Sequence, residues 1–220
     1  MGEQGMSGPS ANTRDKARTL IYIPIIHSQA DLGGFAESVR RATLRKQGLS
    51  GWKRKEKWIE HYWLRIEKAI EDQRLAIARV HLYQDGLPVC GREAEMAAEL
   101  AESGSRNYQL LLRLMDQGAT LMGTESPELL VQEYELFKTV MNGVDPHRAA
   151  SRNARFQSLS ASLMQRRDQY MADRIQHTLG EDETGILFLG ALHSVEKFLP
   201  EDIRIIHPIQ NFLDHGKRAR

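Results

Sequence analysis

Five short, largely apolar segments recur along the chain. They cover residues 20–26, 77–83, 119–123, 186–190 and 203–206. Largely β-branched apolar runs of this length are typical of strands that are buried on both faces of a parallel sheet. The pattern therefore predicts five β-strands.

Segments with helical periodicity separate these strands. The spacing predicts helices over 35–46, 52–79, 93–102, 108–117, 127–141 and 147–179, with Gly48 and Gly51 breaking the first two apart. Ser126 is a good N-cap for the helix that begins at Pro127. Strands that alternate with helices predict an α/β fold, with a mostly parallel central sheet of about five strands flanked by helices. Residues 52–80 are predicted to form a helical insertion in this fold.

The predicted strands and helices indicate one α/β domain over residues 19–215. Residues 1–18 are polar and rich in glycine and serine, so we expect a disordered leader, and 216–220 form a short basic tail. Cys90 is the single cysteine and excludes an intramolecular disulfide. No apolar run approaches the roughly 20 residues that span a bilayer, and no signal peptide is recognisable. We therefore expect a cytoplasmic protein, and the sequence leaves homo-oligomerisation open.

Imidazole and carboxylate side chains follow every predicted strand. In chain order they are His27 with Asp31, Asp85 after Tyr83, Glu125, His193 and His207. Because the carboxyl ends of parallel strands meet at one edge of the sheet, we expect several of them to share a site. Such groups bind divalent transition metals or act as general acids and bases. The alternative is that each is a loop residue, with Glu125 favouring the positive end of the next helix.

Two of these histidines precede serines, Ser28 and Ser194. A nucleophilic serine usually lies in a tight Gly-x-Ser-x-Gly turn, and neither serine does. We expect both to cap a helix or to orient the neighbouring histidine, and to contribute to substrate binding.

The helix over 147–179 carries a second set of polar side chains. Arg167, Tyr170, Met171 and Arg174 recur at helical spacing and share one face. An arginine there would hold an anionic group of the substrate or fix a carboxylate such as Glu125. The alternative is a solvated pair between Arg167 and its neighbour Asp168.

Two sequence motifs resemble those of the TraB/GumN-like proteins of the erythromycin-esterase/ChaN-like superfamily. Residues 190–193 read Gly-Ala-Leu-His and 167–171 read Arg-Asp-Gln-Tyr-Met. The first histidine element departs from the family pattern, because no glycine precedes His27 at the family's spacing. The resemblance implies a hydrolase, in some members metal-dependent, although other members bind haem.

The strand ends and the resemblance together define the expected site. Its catalytic residues are His27, Glu125, His193 and Arg167, and a divalent metal ion of unspecified identity is held by His27, Glu125 and His193. Substrate contacts are assigned to Asp31, Ser28, Ser194, Tyr170 and Arg174. The substrate is expected to be a small molecule or a peptide.

A basic and aromatic segment, residues 40–63, supports an alternative function. Its basic residues are Arg40, Arg41, Arg45, Lys46, Lys53, Arg54, Lys55 and Lys57, and its aromatic residues are Trp52, Trp58, Tyr62 and Trp63. Such a segment suits phosphate contact and base stacking, which would make the chain a non-catalytic ligand- or nucleic-acid-binding regulatory protein. It equally suits a helix that packs its tryptophans inward and exposes its charges.

Overall fold

The computed structural model describes residues 18–26, 36–141 and 149–209. Within these ranges the strands are β1 (Arg18–Ile25), β2 (Val80–Gln84), β3 (Thr120–Met122), β4 (Thr184–Gly190) and β5 (Ile203–Ile206). The α-helices are α1 (Ala36–Glu71), α2 (Glu93–Glu102), α3 (Arg106–Asp116), α4 (Pro127–Met141) and α5 (Ala149–Thr178). The predicted leader and basic tail lie outside the described residues, apart from Arg18, which begins β1.

The five strands form one parallel sheet in the order β3-β2-β4-β1-β5. The predicted α/β fold is therefore confirmed. β4 lies at the centre, paired with β1 along its whole length and with β2 on its other side. Because neighbouring parallel strands need a crossover, each connection passes over a face of the sheet, and the helices cover both faces.

The side chains of the strands alternate between two apolar layers. On one face, Ile21, Leu82 and Phe188 pack with residues of α1, α2 and α3. On the other face, Leu20, Tyr83, Leu187 and Leu189 pack with Met171 and Ile175 of α5 and with Val195. This alternation follows from the two-residue period of a strand. No helix in the described ranges has both the length and the apolar character needed to cross a membrane.

Residues 52–71 belong to α1, the crossover helix between β1 and β2. The helix buries Tyr62, Trp63, Ile66 and Ile70 in the core. The predicted break at Gly48 is a kink within α1, because glycine adopts there a positive φ of 67° that other residues rarely take. Residues 77–79, predicted as the start of the second strand, form a short 3₁₀ turn, and β2 begins only at Val80.

Helix α5 determines how the site is assembled. It ends at Thr178, shortly before β4 begins, and so at the amino edge of the sheet. At a rise of about 1.5 Å per residue its 30 residues span about 45 Å, which is longer than any strand here. Arg167 and Asp168 lie about three turns before its end, which places them at the carboxyl edge.

Candidate functional site

Three side chains that follow adjacent strands meet at the carboxyl edge of the sheet. Asp85 follows β2, Glu125 follows β3 and His193 follows β4, and one candidate ligand atom from each lies within 4.8 Å of the others. The exposed fractions of the side chains are 7 % for Asp85, 0 % for Glu125 and 4 % for His193. One imidazole and two carboxylates at this spacing could hold a metal ion.

The two carboxylates are positioned by backbone contacts between the loops. The N–H of Asp85 donates to the carbonyl of Phe188, and its Oδ2 accepts from the N–H of Gly190 at 3.0 Å. Glu125 is anchored through its backbone to residues 87–89. The N–H of Gly86, whose φ is 77°, reaches Glu125 Oε1 at 3.3 Å. The side chains therefore extend from backbone that continues the hydrogen bonding of the sheet.

The ring of His193 is held by Asp168. Its Nδ1 lies 2.5 Å from Asp168 Oδ1, and Oδ2 of the same carboxylate accepts the N–H of Ser194 at 2.8 Å. Because a carboxylate only accepts, Nδ1 carries the proton. The other nitrogen, Nε2, then lies 3.5 Å from Asp85 Oδ1 and faces the cluster. A neutral ring would present a lone pair there.

The charges around His193 change its protonation. Burial alone would lower the pKa of His193, but its hydrogen bonds to Asp168 and Asp85 outweigh burial and raise the pKa to about 9. In the metal-free protein the imidazole is therefore charged at neutral pH. A metal ion that binds Nε2 must displace this proton, so binding is linked to proton release.

Arg167 connects three carboxylates at the site. Its Nε and Nη2 donate to the two oxygens of Glu125 at 3.1 and 2.5 Å, Nη2 donates to Asp85 Oδ1 at 3.0 Å, and Nη1 donates to Glu133 Oε1 at 2.7 Å. Burial raises the pKa of Glu125, and Arg167 offsets only part of this effect. Of the three interpretations of Arg167, the structure supports the one in which it fixes Glu125. The solvated pair with Asp168 is wrong, because both side chains are buried.

The charge balance favours an additional cation. Four carboxylates, those of Asp85, Glu125, Glu133 and Asp168, face the two cations Arg167 and His193. The pair of Asp168 with His193 is of the kind that orients metal-binding imidazoles. Against this, Arg167 already occupies oxygens of Asp85 and Glu125, so a metal ion has to compete with the guanidinium for them.

The structure brings three of the predicted site residues together and does not describe three others. Glu125, His193 and Arg167 come together as expected. His27, Ser28 and Asp31 lie outside the described residues, so their roles stay predictions.

The remaining predicted residues lie around the cluster. Ser194 contributes its backbone N–H, and its side chain makes no capping hydrogen bond, so the expected cap is absent at this residue. Arg174 donates to the carbonyl of Gly123 at 3.3 Å and thereby supports the loop that precedes Glu125. Tyr170 is half-buried on α5. His207 lies apart from the cluster, 3.4 Å from Glu196.

Sequence reasoning did not assign Asp85 and Asp168 to the site. Asp85 was counted among the side chains at the strand ends. Its position between the second strand and Gly86 was the sequence feature that could have assigned it to the site. Asp168 stood in the motif over 167–171 and as a solvated partner of Arg167, and neither interpretation placed it beside His193. On a helix it lies about 100° from Arg167, and only the position of the loop after β4 shows that it reaches His193.

No family model, no curated protein and no solved structure matches the chain. The functional interpretation therefore depends on the geometry of the site and on the motifs in the sequence.

Proposed function

We propose that this protein is a metal-dependent hydrolase whose divalent cation is held by Asp85, Glu125 and His193. The observation that carries the proposal is the convergence of these three ligand atoms within 4.8 Å at the carboxyl edge of a parallel sheet. This edge is where open α/β sheets bind their ligands. The resemblance to TraB/GumN-like proteins supports the same function.

Each residue of the proposed site has a distinct task. The cation would supply Lewis-acid activation of a substrate oxygen or of water. Asp168 fixes the tautomer of His193 and keeps Nε2 directed at the cluster. Arg167 orients Glu125 and limits the rise of its pKa, so that the carboxylate remains a ligand. β1 ends at Ile25, opposite Gly190 of β4, and His27 stays a predicted further ligand.

The metal site is tested by titrating chelator-treated protein with Zn²⁺ and with Mn²⁺ in a calorimeter. We expect saturable binding that is weakened at least about tenfold in Asp85→Asn, Glu125→Gln and His193→Asn, because each loses a ligand. His207→Asn is the matched control, since His207 also follows a strand of this sheet but lies outside the cluster. Equal affinities for His193→Asn and His207→Asn would refute the site.

Catalysis is tested separately on chromogenic ester, peptide and phosphoester substrates. We expect activity that chelation abolishes, that added metal restores and that His193→Asn loses. His207→Asn should keep it. Hydrolysis that survives both chelation and His193→Asn would show that another site is responsible.

A second candidate function is a non-catalytic ligand- or nucleic-acid-binding protein. The observation in its favour is that all eight lysine and arginine side chains of the segment 40–63 are exposed. Binding of a ligand to this segment without any hydrolysis by the purified protein would support this candidate over the hydrolase.

A further inference from the structure

The first half of α1 is a strongly basic surface. Between residues 40 and 57 the chain carries eight basic residues and the single acid Glu56, although the whole chain has a net charge of only +1. All eight basic side chains are exposed. We call this segment, residues 40–57, the basic arm. At its start, Glu37 pairs with Arg40 and Arg41.

The part of the basic arm after the kink at Gly48 projects from the edge of the sheet that carries the candidate metal site. Tyr62 donates a hydrogen bond to the carbonyl of Pro24, near the end of β1. Ile66 and Ile70 pack against the sheet further along, and the chain then reaches the amino edge, where β2 begins. Residues 49–61, between the kink at Gly48 and Tyr62, therefore extend past the carboxyl edge. Residues 53–57 lie about 8–14 Å of helix beyond Tyr62.

The distribution of the charges indicates which anion fits. Lys53, Arg54 and Lys55 are consecutive, so they point in directions about 100° apart and surround half of the helix. A helix that lies on a membrane instead separates a basic face from an apolar face. Cations that follow one another along a segment suit a chain of phosphates, because several phosphates of one strand can be contacted at once.

An aromatic pair lies at the end of the basic arm nearest the site. The ring of Trp58 is stacked on that of Tyr62, with centroids 5.6 Å apart and planes 2° from parallel. Trp58 is 42 % exposed, while Tyr62 is buried. Aromatic side chains beside cations are the features that bind the bases and phosphates of a single strand.

We propose that the basic arm binds single-stranded nucleic acid and that the substrate of the Asp85–Glu125–His193 site is its phosphodiester bond. This inference rests on the proposed hydrolase function and names its substrate class. In the reaction the oxygen of water forms a bond to phosphorus. The phosphorus–oxygen bond to one sugar breaks, its electron pair stays on the sugar oxygen, and a proton from water ends on that oxygen.

Binding is tested with fluorescent DNA and RNA single strands of roughly 20 nucleotides, a length that covers at least one binding site of a typical single-strand-binding protein. The variant is Lys53→Ala/Arg54→Ala/Lys55→Ala. The matched control, Lys68→Ala/Arg74→Ala/Arg79→Ala, removes the same charge from exposed residues near the amino edge. Thermal unfolding of both variants establishes that each is folded.

The expected result is a change in the salt dependence of binding. Each phosphate contact on a single strand contributes about −0.7 to the slope of log K against log salt, so losing three contacts reduces the slope by about 2. This corresponds to about 100-fold weaker binding at about 0.1 M salt, extrapolated from 1 M. The control should bind like the wild type. Equal binding by the two triple variants overturns the inference, as does binding to phosphatidylserine vesicles without binding to either strand.

Cleavage of the same strands with Zn²⁺ or Mn²⁺ separates the inference from the proposed function. We expect cleavage that is lost in His193→Asn, which should still bind the strand, and that shows a raised KM in the basic-arm variant. Strands that are bound but not cleaved, while an ester or peptide is hydrolysed at the metal site, overturn the inference and leave the hydrolase intact. Absence of metal binding overturns both.

Discussion

The most informative single substitution is Arg167→Met. Methionine keeps much of the length and apolar surface of arginine but removes the guanidinium that contacts Asp85, Glu125 and Glu133. Two of these carboxylates are almost completely buried. The substitution therefore leaves their negative charges without their main partner in the protein.

The size of the effect follows from this burial. Removing one partner of a buried ion pair typically costs about 3–5 kcal/mol. For a chain of this size each kcal/mol lowers the melting temperature by about 2–4 °C, so we expect a fall of about 6–20 °C. The loss should be smaller at acidic pH. The pKa of Glu125 is already raised, and protonation of Glu125 removes the charge that Arg167 compensates.

A divalent cation should reverse part of this loss. Without Arg167, oxygens of Asp85 and Glu125 become accessible to a metal ion. A ligand at 100 times its dissociation constant stabilises the native state by about 2.7 kcal/mol. We therefore expect Zn²⁺ or Mn²⁺ to raise the melting temperature of Arg167→Met by more than it raises that of the wild type.

The assay is thermal and urea unfolding at pH 8 and pH 5, with and without metal. The matched control is Arg166→Met, because the neighbouring Arg166 is exposed and, within the described ranges, donates only to the uncharged Gln132, at 2.9 Å from its Oε1. That control should change the stability by less than about 0.5 kcal/mol. Equal stability of Arg167→Met and Arg166→Met would show that the buried ion pairs of Arg167 do not stabilise the fold. A metal-induced shift no larger than that of the wild type would refute the competition between Arg167 and the metal ion.

Three further predictions concern the histidine, its partner and the sheet. Asp168→Asn should weaken metal binding by about 10–100-fold, because the imidazole of His193 loses its carboxylate partner. Asp173→Asn, on the exposed side of α5, should leave metal binding unchanged, and calorimetry measures both affinities. In chelator-treated protein, protonated His193 should contribute about 3 kcal/mol to the free energy of unfolding, because its pKa is raised in the folded state. This contribution is fully present below pH 6.5 and is lost as the pH rises through about 9. Urea unfolding at a series of pH values should show the loss, and the same pH dependence in His193→Asn would contradict it. Gly185→Ala should cost about 1–3 kcal/mol, because an added Cβ would lie 2.6 Å from Leu20 Cδ1, and an unchanged urea midpoint would show that the sheet relaxes.

The fold was predictable where local chemistry marks the elements. Ser126 and Pro127 define the start of α4, and Ser126 Oγ accepts the N–H of Leu129 as expected of an N-cap. The periodicity over 93–102 gives α2 with its observed bounds. The strand order was not predictable from these patterns. β4 is late in the chain yet lies between β2 and β1, and that placement depends on how the helices cover the two faces.

The site was predictable to the extent that it follows from strand ends. Glu125 and His193 come together because parallel strands end at the same edge, and Arg167 reaches Glu125 from the buried face of α5. The contact of Asp168 with His193 depends on the rotation of α5 and on the tight turn over 190–193, in which the N–H of His193 donates to the carbonyl of Gly190. Neither the rotation nor the turn has a signature in the local sequence.

The most direct test of the metal site is anomalous diffraction from crystals grown with Mn²⁺ or Zn²⁺. The proposed site predicts an anomalous peak about 2.0–2.3 Å from His193 Nε2 that also contacts carboxylate oxygens of Asp85 and Glu125. Arg167 should then be displaced from at least one of these oxygens. A fully occupied peak elsewhere, with Arg167 still bonded to both carboxylates, would contradict the proposed site and identify the cluster as an ion-pair network that joins α5 to the sheet.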